Sequence, residues 1–139
     1  MEPAKVVVKY VDGKVIKGFV QNFSPTKDWF HLTPVDKASG GTIEVLMRRL
    51  KAVFLVRDFN GDPQYHERKN YHLGENPSGI KLEVTFTDGE VIVGSTQLSY
   101  DPKRPGNFIV PVDPGSNNIR VFVVSSAVKS VRQLFDNPE

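Results

Sequence analysis

Two parts of the chain carry basic side chains close to aromatic side chains. Cationic groups neutralise phosphate and aromatic faces stack on nucleobases, so this combination is typical of a surface that binds single-stranded nucleic acid. Aromatic residues at the start of a strand are also common packing residues, so the pattern leaves both roles open. The candidate ligand-binding residues are Lys27, Trp29, Arg48, Arg49, Tyr100, Lys103 and Arg104.

No other set of side chains is typical of an enzyme or a metal site. His31, His66 and His72 are separated by spacings that match no usual metal-ligand pattern. The chain has no cysteine, which excludes disulfides and thiolate metal sites. Asp12 and Asp88 each precede a glycine and are explained by turn formation. We therefore predict a protein that is not an enzyme, with no catalytic residues, no metal and no cofactor.

The elements that must position the candidate residues occur twice. Residues 7–18, VVKYVDGKVIKG, are matched by residues 83–94, EVTFTDGEVIVG. Each copy is about 55 residues long, near the lower size limit for independent folding, so we expect the two copies to pack on each other or on another chain. The match continues through Pro34-Val35-Asp36 with Pro111-Val112-Asp113 and Ile43-x-Val45 with Ile119-x-Val121, and ends at Val53 and Val131.

Four glycines predict the shape of each copy. Apolar and polar residues alternate on both sides of an Asp-Gly pair, which predicts a hairpin whose turn glycine, Gly13 or Gly89, adopts a positive φ. Gly18 and Gly94 fall inside the next strand, where a glycine is typical of a bulge or a sharp bend. A long strand bent at a glycine lets a small sheet curl into a barrel. We predict five strands per copy and an all-β fold.

This order of elements resembles an Sm-like barrel, the fold of Sm proteins and of the bacterial Sm-like RNA chaperones. The features that carry the resemblance are the hairpin, the bend glycine five residues after the turn glycine, and a short turn before the last strand. The chain is also similar to a bacterial family of paired small barrels with no assigned biochemistry. The resemblance implies two tandem five-stranded Sm-like barrels, at residues 1–59 and 80–139. Residues 60–79 form the linker, and the polar composition of its middle, Gln64–Leu73, predicts an arm or one helical turn.

The resemblance extends less well to the RNA sites of the Sm family. Residues 22–25 and 98–101 lack that family's Asp-x-x-x-Asn segment, and Ser125-Ser126 stands where the first copy has Arg48-Arg49. Small barrels leave rims and strand edges that partners contact by strand addition or groove packing. We therefore predict a binding or assembly module for a protein or peptide, with RNA or a nucleotide as the alternative ligand. A homo-oligomer joined edge to edge is a further prediction to test.

The distribution of charge and of apolar residues indicates the type of partner and the cellular location that we expect. The net charge is +2, of which residues 1–60 carry +4, residues 61–79 carry −1 and residues 80–139 carry −1. The first copy is thus mildly basic, so an anionic partner is favoured at the first copy rather than at the second. No apolar run approaches the ~20 residues that a membrane helix needs, and the first residues, MEPA, do not read as a signal peptide. We predict a cytoplasmic protein with no membrane contact.

Overall fold

A computed structural model of the chain describes residues 4–20, 23–36, 41–75, 77, 79–97 and 99–135. These residues form an all-β fold, as predicted, with five strands from each repeat and, in the described ranges, no α-helix. A 3-10 turn at Met47–Arg49 or Ser125–Ala127 precedes the last strand of each repeat. In the described residues no helix is long and apolar enough to cross a membrane. The strands are β1 Ala4–Tyr10, β2 Val15–Val20, β3 Trp29–Pro34, β4 Ile43–Leu46, β5 Leu50–Val56, β6 Ile80–Phe86, β7 Val91–Thr96, β8 Gly106–Pro111, β9 Asn118–Val124 and β10 Val128–Gln133.

The two predicted hairpins form in the same way. In the first, Gly13 has φ +95° and its N–H donates to the Tyr10 carbonyl oxygen at 3.1 Å. The Asp12 carboxylate accepts the Lys14 N–H at 2.9 Å, which ties the turn to the start of β2. Gly89 in the second hairpin also has φ +95°. The prediction of a positive φ at both turn glycines is confirmed, and it explains the glycines because other residues rarely adopt that conformation.

The strands form one open antiparallel sheet in the order β10-β6-β7-β8-β9-β5-β1-β2-β3-β4. Each repeat supplies a block of five neighbouring strands, and the blocks meet where β5 pairs with β9, with Val53 opposite Phe122. The edge of β5 that could close a first barrel against β4 is occupied by β9. For this reason the described strand pairing shows a single ten-stranded sheet, and not two closed five-stranded barrels. The outer edges of the sheet are β4 and β10.

The buried side chains form two clusters, and both contain residues from both repeats. Successive side chains of a strand point to opposite faces. Accordingly, Val53 of β5 enters the first cluster while Ala52 and Phe54 enter the second. From β9, Phe122 enters the first cluster and Val123 enters the second. The seam between β5 and β9 is therefore part of both cores.

Strand register aligns the repeats more accurately than sequence does. Leu32 pairs with Ile43 in the first repeat, and Ile109 pairs with Val121 in the second. Val121, and not Ile119, is therefore the structural counterpart of Ile43. Val121 lies ten positions after Pro111, whereas Ile43 lies nine positions after Pro34, the counterpart of Pro111. The same register makes Phe108 the counterpart of His31.

Candidate functional site

Three of the predicted basic residues meet in one groove. Arg48 lies in the 3-10 turn after β4, while Lys103 and Arg104 lie in the loop before β8. Together with Asp28 they line a groove of about 490 Å³, which we call the basic groove. It lies between the repeats because the end of β9 is brought beside the start of β5. The structure thus joins basic side chains that are far apart in the sequence.

The loop that carries Lys103 and Arg104 is fixed by a buried asparagine. Asn107 Nδ2 donates to the Asp101 carbonyl oxygen at 2.9 Å, and Asn107 Oδ1 accepts the Asp101 N–H at 3.2 Å. Arg104 Nη1 donates to the Ser99 carbonyl oxygen and to Asn107 Oδ1, each at 3.3 Å. Arg104 is therefore engaged in holding its own loop, whereas Lys103 is exposed. Sequence reasoning missed Asn107, because its partners become neighbours only when the loop folds.

The other predicted ligand-binding residues lie outside the basic groove. Trp29 is 41% exposed, with Lys27 Nζ 5.5 Å from its ring centroid, and forms a separate surface pair. Arg49 is exposed, and its carbonyl oxygen accepts the Val11 N–H at 3.1 Å. Tyr100 packs against the second core cluster, and this burial raises the pKa of its hydroxyl. The predicted set is therefore divided among several places.

A second groove follows the free edge of β10. It has a volume of about 490 Å³, and Tyr100 lies in it. Val128 and Val131 of β10 line its apolar part and are half-buried. Among the described strands, β10 pairs only with β6, so its other edge presents backbone groups. Such an edge is a template for a further strand. We call this surface the β10 groove.

The place that corresponds to the β10 groove is filled in the first repeat. Val53 on β5 pairs with Val8, and Val131 on β10 pairs with Val84, the residue that matches Val8 in the second repeat. Val53 is therefore the counterpart of Val131. In the first repeat β9 lies beside β5 and inserts Phe122, which is 0% exposed. The Phe122 ring contacts the rings of Phe23 and Phe108 edge-on, at centroid distances of 4.9 and 5.0 Å. Phe23 in turn contacts Phe30 at 5.1 Å.

The linker forms an extended arm on the second repeat, with no helical turn in its described residues. We call residues 60–75 the linker strap. Tyr65 Oη donates to both carboxylate oxygens of Asp113 at 3.0 and 2.9 Å, and the Arg68 N–H donates to Asp113 Oδ2 at 2.9 Å. Ser116 Oγ donates to Glu67 Oε1 at 2.8 Å. The backbone N–H of Arg68 is the main cause of the lowered pKa of Asp113.

An ion pair closes the strap on itself. The Arg68 guanidinium binds both oxygens of Glu75, at 2.7 and 2.8 Å, and the His72 N–H donates to Glu75 Oε1 at 2.9 Å. The Arg68 side chain is the main reason that the pKa of Glu75 falls to about 2. Lys81 at the start of β6 donates to the Glu75 carbonyl oxygen at 3.1 Å. These bonds connect the strap to the sheet.

The strap borders a groove that has an open counterpart on the first repeat. On the second repeat, Arg68 and Lys69 of the strap line a groove of about 440 Å³ together with Val112, which is 6% exposed. On the first repeat, the counterpart of Val112 is Val35, which is 46% exposed in a groove of about 890 Å³. We call the latter the open groove. Its lining residues are Lys14, Val15, Ile16, Lys17, Pro34, Val35, Asp36 and Ile43.

The described residues contain no group of three or more His, Cys, Asp or Glu side chains that could hold a metal ion.

Comparison with known proteins gives one match. A family model described as a family of unknown function, DUF6982, matches residues 2–135. No curated protein and no solved structure matches the chain.

Proposed function

Because the chain belongs to DUF6982, a family of unknown function, we propose a function from its own sheet edges: it is a non-enzymatic module that binds a strand of a protein partner along β10. The pairing of β5 with β9 is the observation that carries this proposal. It is strand addition between corresponding units within one chain. The proposal treats each five-stranded block as a partly open Sm-like barrel and keeps the predicted cytoplasmic location.

The β10 edge resembles the β5 edge in its side chains but has no neighbour among the described strands. Leu50 and Val53 on β5 are 0% exposed and belong to the first cluster, together with Phe122 and Val124 of β9. Their counterparts on β10, Val128 and Val131, are half-buried and line the β10 groove. Covering them would remove apolar surface from water, which favours association. The internal seam also indicates the partner's pattern, a strand with an aromatic residue where β9 has Phe122.

A second copy of the chain fits this edge less well than another protein does. The outer strand of a second copy that corresponds to β9 is β4, where the counterpart of Phe122 is Glu44. Placing an unpaired carboxylate in an apolar groove is costly. We therefore favour a different protein as the partner, and self-association is an outcome to be tested.

A peptide that copies β9, residues 117–124 with a solubilising tag, provides the probe. The Arg57 N–H donates to the Asn117 carbonyl oxygen of the β9 segment at 2.9 Å. Leu55 lies two residues before Arg57 on the same strand, so its N–H points to the same side. Gln133 is the counterpart of Leu55 on β10. Gln133→Pro should therefore remove an outward N–H and leave the bonds to β6 in place. We expect the peptide to bind, and Gln133→Pro to weaken binding at least tenfold while Gln133→Ala does not.

A version of the peptide with glutamate in place of Phe122 should lose binding to the same degree. The proposal fails if the β9 peptide does not bind, or if Gln133→Pro leaves its affinity unchanged. Sedimentation of the free protein measures self-association, and a dimer abolished by Gln133→Pro would assign the β10 edge to a second copy.

The basic groove supports the alternative function, binding of RNA or a nucleotide. Arg48 and Lys103 come from different repeats and line the same groove, so the fold concentrates positive charge that the sequence distributes. Asp28 lies in the groove as well and offsets part of that charge. The salt dependence of binding distinguishes this alternative, as argued below.

A further inference from the structure

We infer that the open groove of the first repeat is a second binding site, which takes an extended acidic segment of another protein. The segment would lie where the linker strap lies on the second repeat. This site is on a different part of the molecule from the β10 edge, and the inference does not depend on strand addition there.

The two grooves are built from corresponding residues. Val15, Ile16 and Lys17 of the open groove have Val91, Ile92 and Val93 as counterparts beside the strap. Gly18 pairs with Pro34 as Gly94 pairs with Pro111, so the loops that follow also correspond. Asp113, which receives the strap's hydrogen bonds, has Asp36 as its counterpart at the open groove.

Within the described ranges, a segment lies across the groove of the second repeat and none lies across that of the first. The strap places Glu67, Arg68, Lys69 and Asn70 in the lining of that groove. In the described part of the chain, the open groove is lined solely by the β2 region, by residues 34–36 and by Ile43. Its larger volume and the 46% exposure of Val35, against 6% for Val112, leave apolar surface that an extended segment would cover. Val15 and its counterpart Val91 are equally exposed, so Val35 carries this comparison.

The charges that the sheet itself supplies to the two grooves differ in sign, which indicates the chemistry of the occupant. Beside the strap the sheet supplies Glu83, Glu90 and Lys9, and the strap adds Glu67, Arg68 and Lys69. In the open groove Lys14 stands in place of Glu90, and Lys17 stands in place of Val93. Val7 stands in place of Glu83, so that carboxylate has no counterpart. Two lysines and one aspartate therefore line the open groove, and an acidic segment complements it.

Charge also decides between possible occupants. Strap residues 62–70 of a second copy carry no net charge, because Asp62 and Glu67 balance Arg68 and Lys69, so they complement Lys14 and Lys17 less well than an acidic segment does. The strap is also bound to Asp113 and Glu75 of its own chain. We therefore assign the open groove to an acidic extended segment of a different protein.

The test uses two peptides that differ only in charge. One copies strap residues 62–70, DPQYHERKN, and the other carries glutamate at both the Arg68 and the Lys69 position. Titration into the ¹⁵N-labelled protein should shift the amide signals of Val15, Lys17 and Val35 with the acidic peptide. The acidic peptide should bind at least tenfold more tightly than the parent strap peptide, which has no net side-chain charge.

Variants of exposed residues locate the binding. Lys14→Glu with Lys17→Glu should weaken the acidic peptide at least tenfold, whereas Lys27→Glu, a charge reversal outside the groove, should leave its affinity unchanged. Retained amide dispersion shows that each variant is folded. Gln133→Pro should have no effect, which separates this site from the β10 edge. The inference is overturned if the acidic peptide binds no better than the parent strap peptide, or if the lysine variant binds it equally well. It is also overturned if the free protein forms a dimer that Lys17→Glu abolishes, because a second copy would then be the occupant.

Discussion

Gly94 shows how a single missing side chain permits two strands to approach closely. A Cβ built at Gly94 would collide with Ile109 Cγ2 and with the Val110 carbonyl oxygen. Gly18 occupies the same place in the first repeat, where a Cβ would lie 2.5 Å from the Thr33 carbonyl oxygen. The sequence predicted a structural role for both glycines from their position within a strand. The structure identifies that role as the close approach of the next strand.

We predict that Gly94→Ala destabilises the protein by about 1–3 kcal/mol, the usual range for overpacking. The obstacle includes backbone oxygen, which cannot move aside as a flexible side chain would. Urea unfolding measures the change, and Gly18→Ala should give a loss of similar size. An unchanged urea midpoint for both variants would show that the close approach does not constrain these positions.

Glu75 links strap stability to pH. Its pKa is about 2 in the folded protein, mainly because of Arg68, against an ordinary value of 4.5. A lowered folded-state pKa stabilises the protein above the unfolded-state value and loses that contribution as pH falls through the folded-state value. We predict that the stability difference between the parent and Glu75→Gln is constant above about pH 5 and shrinks between pH 4.5 and 2. Chemical unfolding at several pH values measures it, and a difference that stays constant down to pH 2 would contradict the prediction.

The conformation of the linker strap could be predicted from the local sequence, but its docking on the second repeat could not. Its polar composition predicted an arm or a helical turn, and an arm is what the structure has. The docking of that arm could not be predicted, because the bonds from Tyr65 and Arg68 to Asp113 span more than forty residues of sequence. The open groove could not be predicted for the same reason. In the sequence its residues resemble ordinary strand residues, and only the docking of the strap beside their counterparts distinguishes them.

We predict that Asp113→Ala releases the strap while leaving the sheet folded. Asp113 accepts hydrogen bonds from both Tyr65 and Arg68, so its loss removes the main polar attachment of this segment. Limited trypsin digestion reports the change directly, because Arg68 and Lys69 are cleavage sites within the strap. Cleavage there should be several-fold faster in Asp113→Ala than in the parent. Glu44→Ala, an exposed change on β4, serves as the control and should leave the rate unchanged.

At the scale of the whole molecule, the seam determines what each repeat presents to partners. The internal repeat predicted two corresponding five-stranded units, and the five strands of each unit are found. The pairing of β5 with β9 was not predictable, because strand edges are chosen by long-range register and not by local pattern. That pairing leaves β10 free, brings Arg48 beside Lys103, and separates both from Trp29.

The shared cores predict that the two repeats unfold together. Phe122 belongs to the second repeat in sequence but is fully buried in the first cluster, among Phe23 and Phe108. Phe122→Ala should cost about 3–5 kcal/mol, the usual range for a buried phenylalanine. We expect a single unfolding transition by calorimetry for both parent and variant. Two separate transitions in the parent would show that the repeats are independent units.

The last prediction decides between a protein-binding and a nucleic-acid-binding molecule. Three cations line the basic groove, so it can contact about three phosphates, and each contributes about −0.7 to the slope of log K against log salt for a single strand. The expected slope of about −2 makes any affinity for a single-stranded RNA fall about tenfold between 50 and 150 mM salt. Arg48→Ala with Lys103→Ala should flatten this slope, whereas Lys27→Ala, outside the groove, should not.

Under our proposal the residual affinity at 150 mM salt is weaker than micromolar, because Asp28 and the bonds that hold Arg104 reduce the charge available to phosphate. Submicromolar binding at about 150 mM salt, lost in the double variant, would make nucleic acid the principal ligand. Fluorescence anisotropy with a labelled oligonucleotide supplies both measurements, and the β9 peptide can be added to show whether the two ligands bind independently.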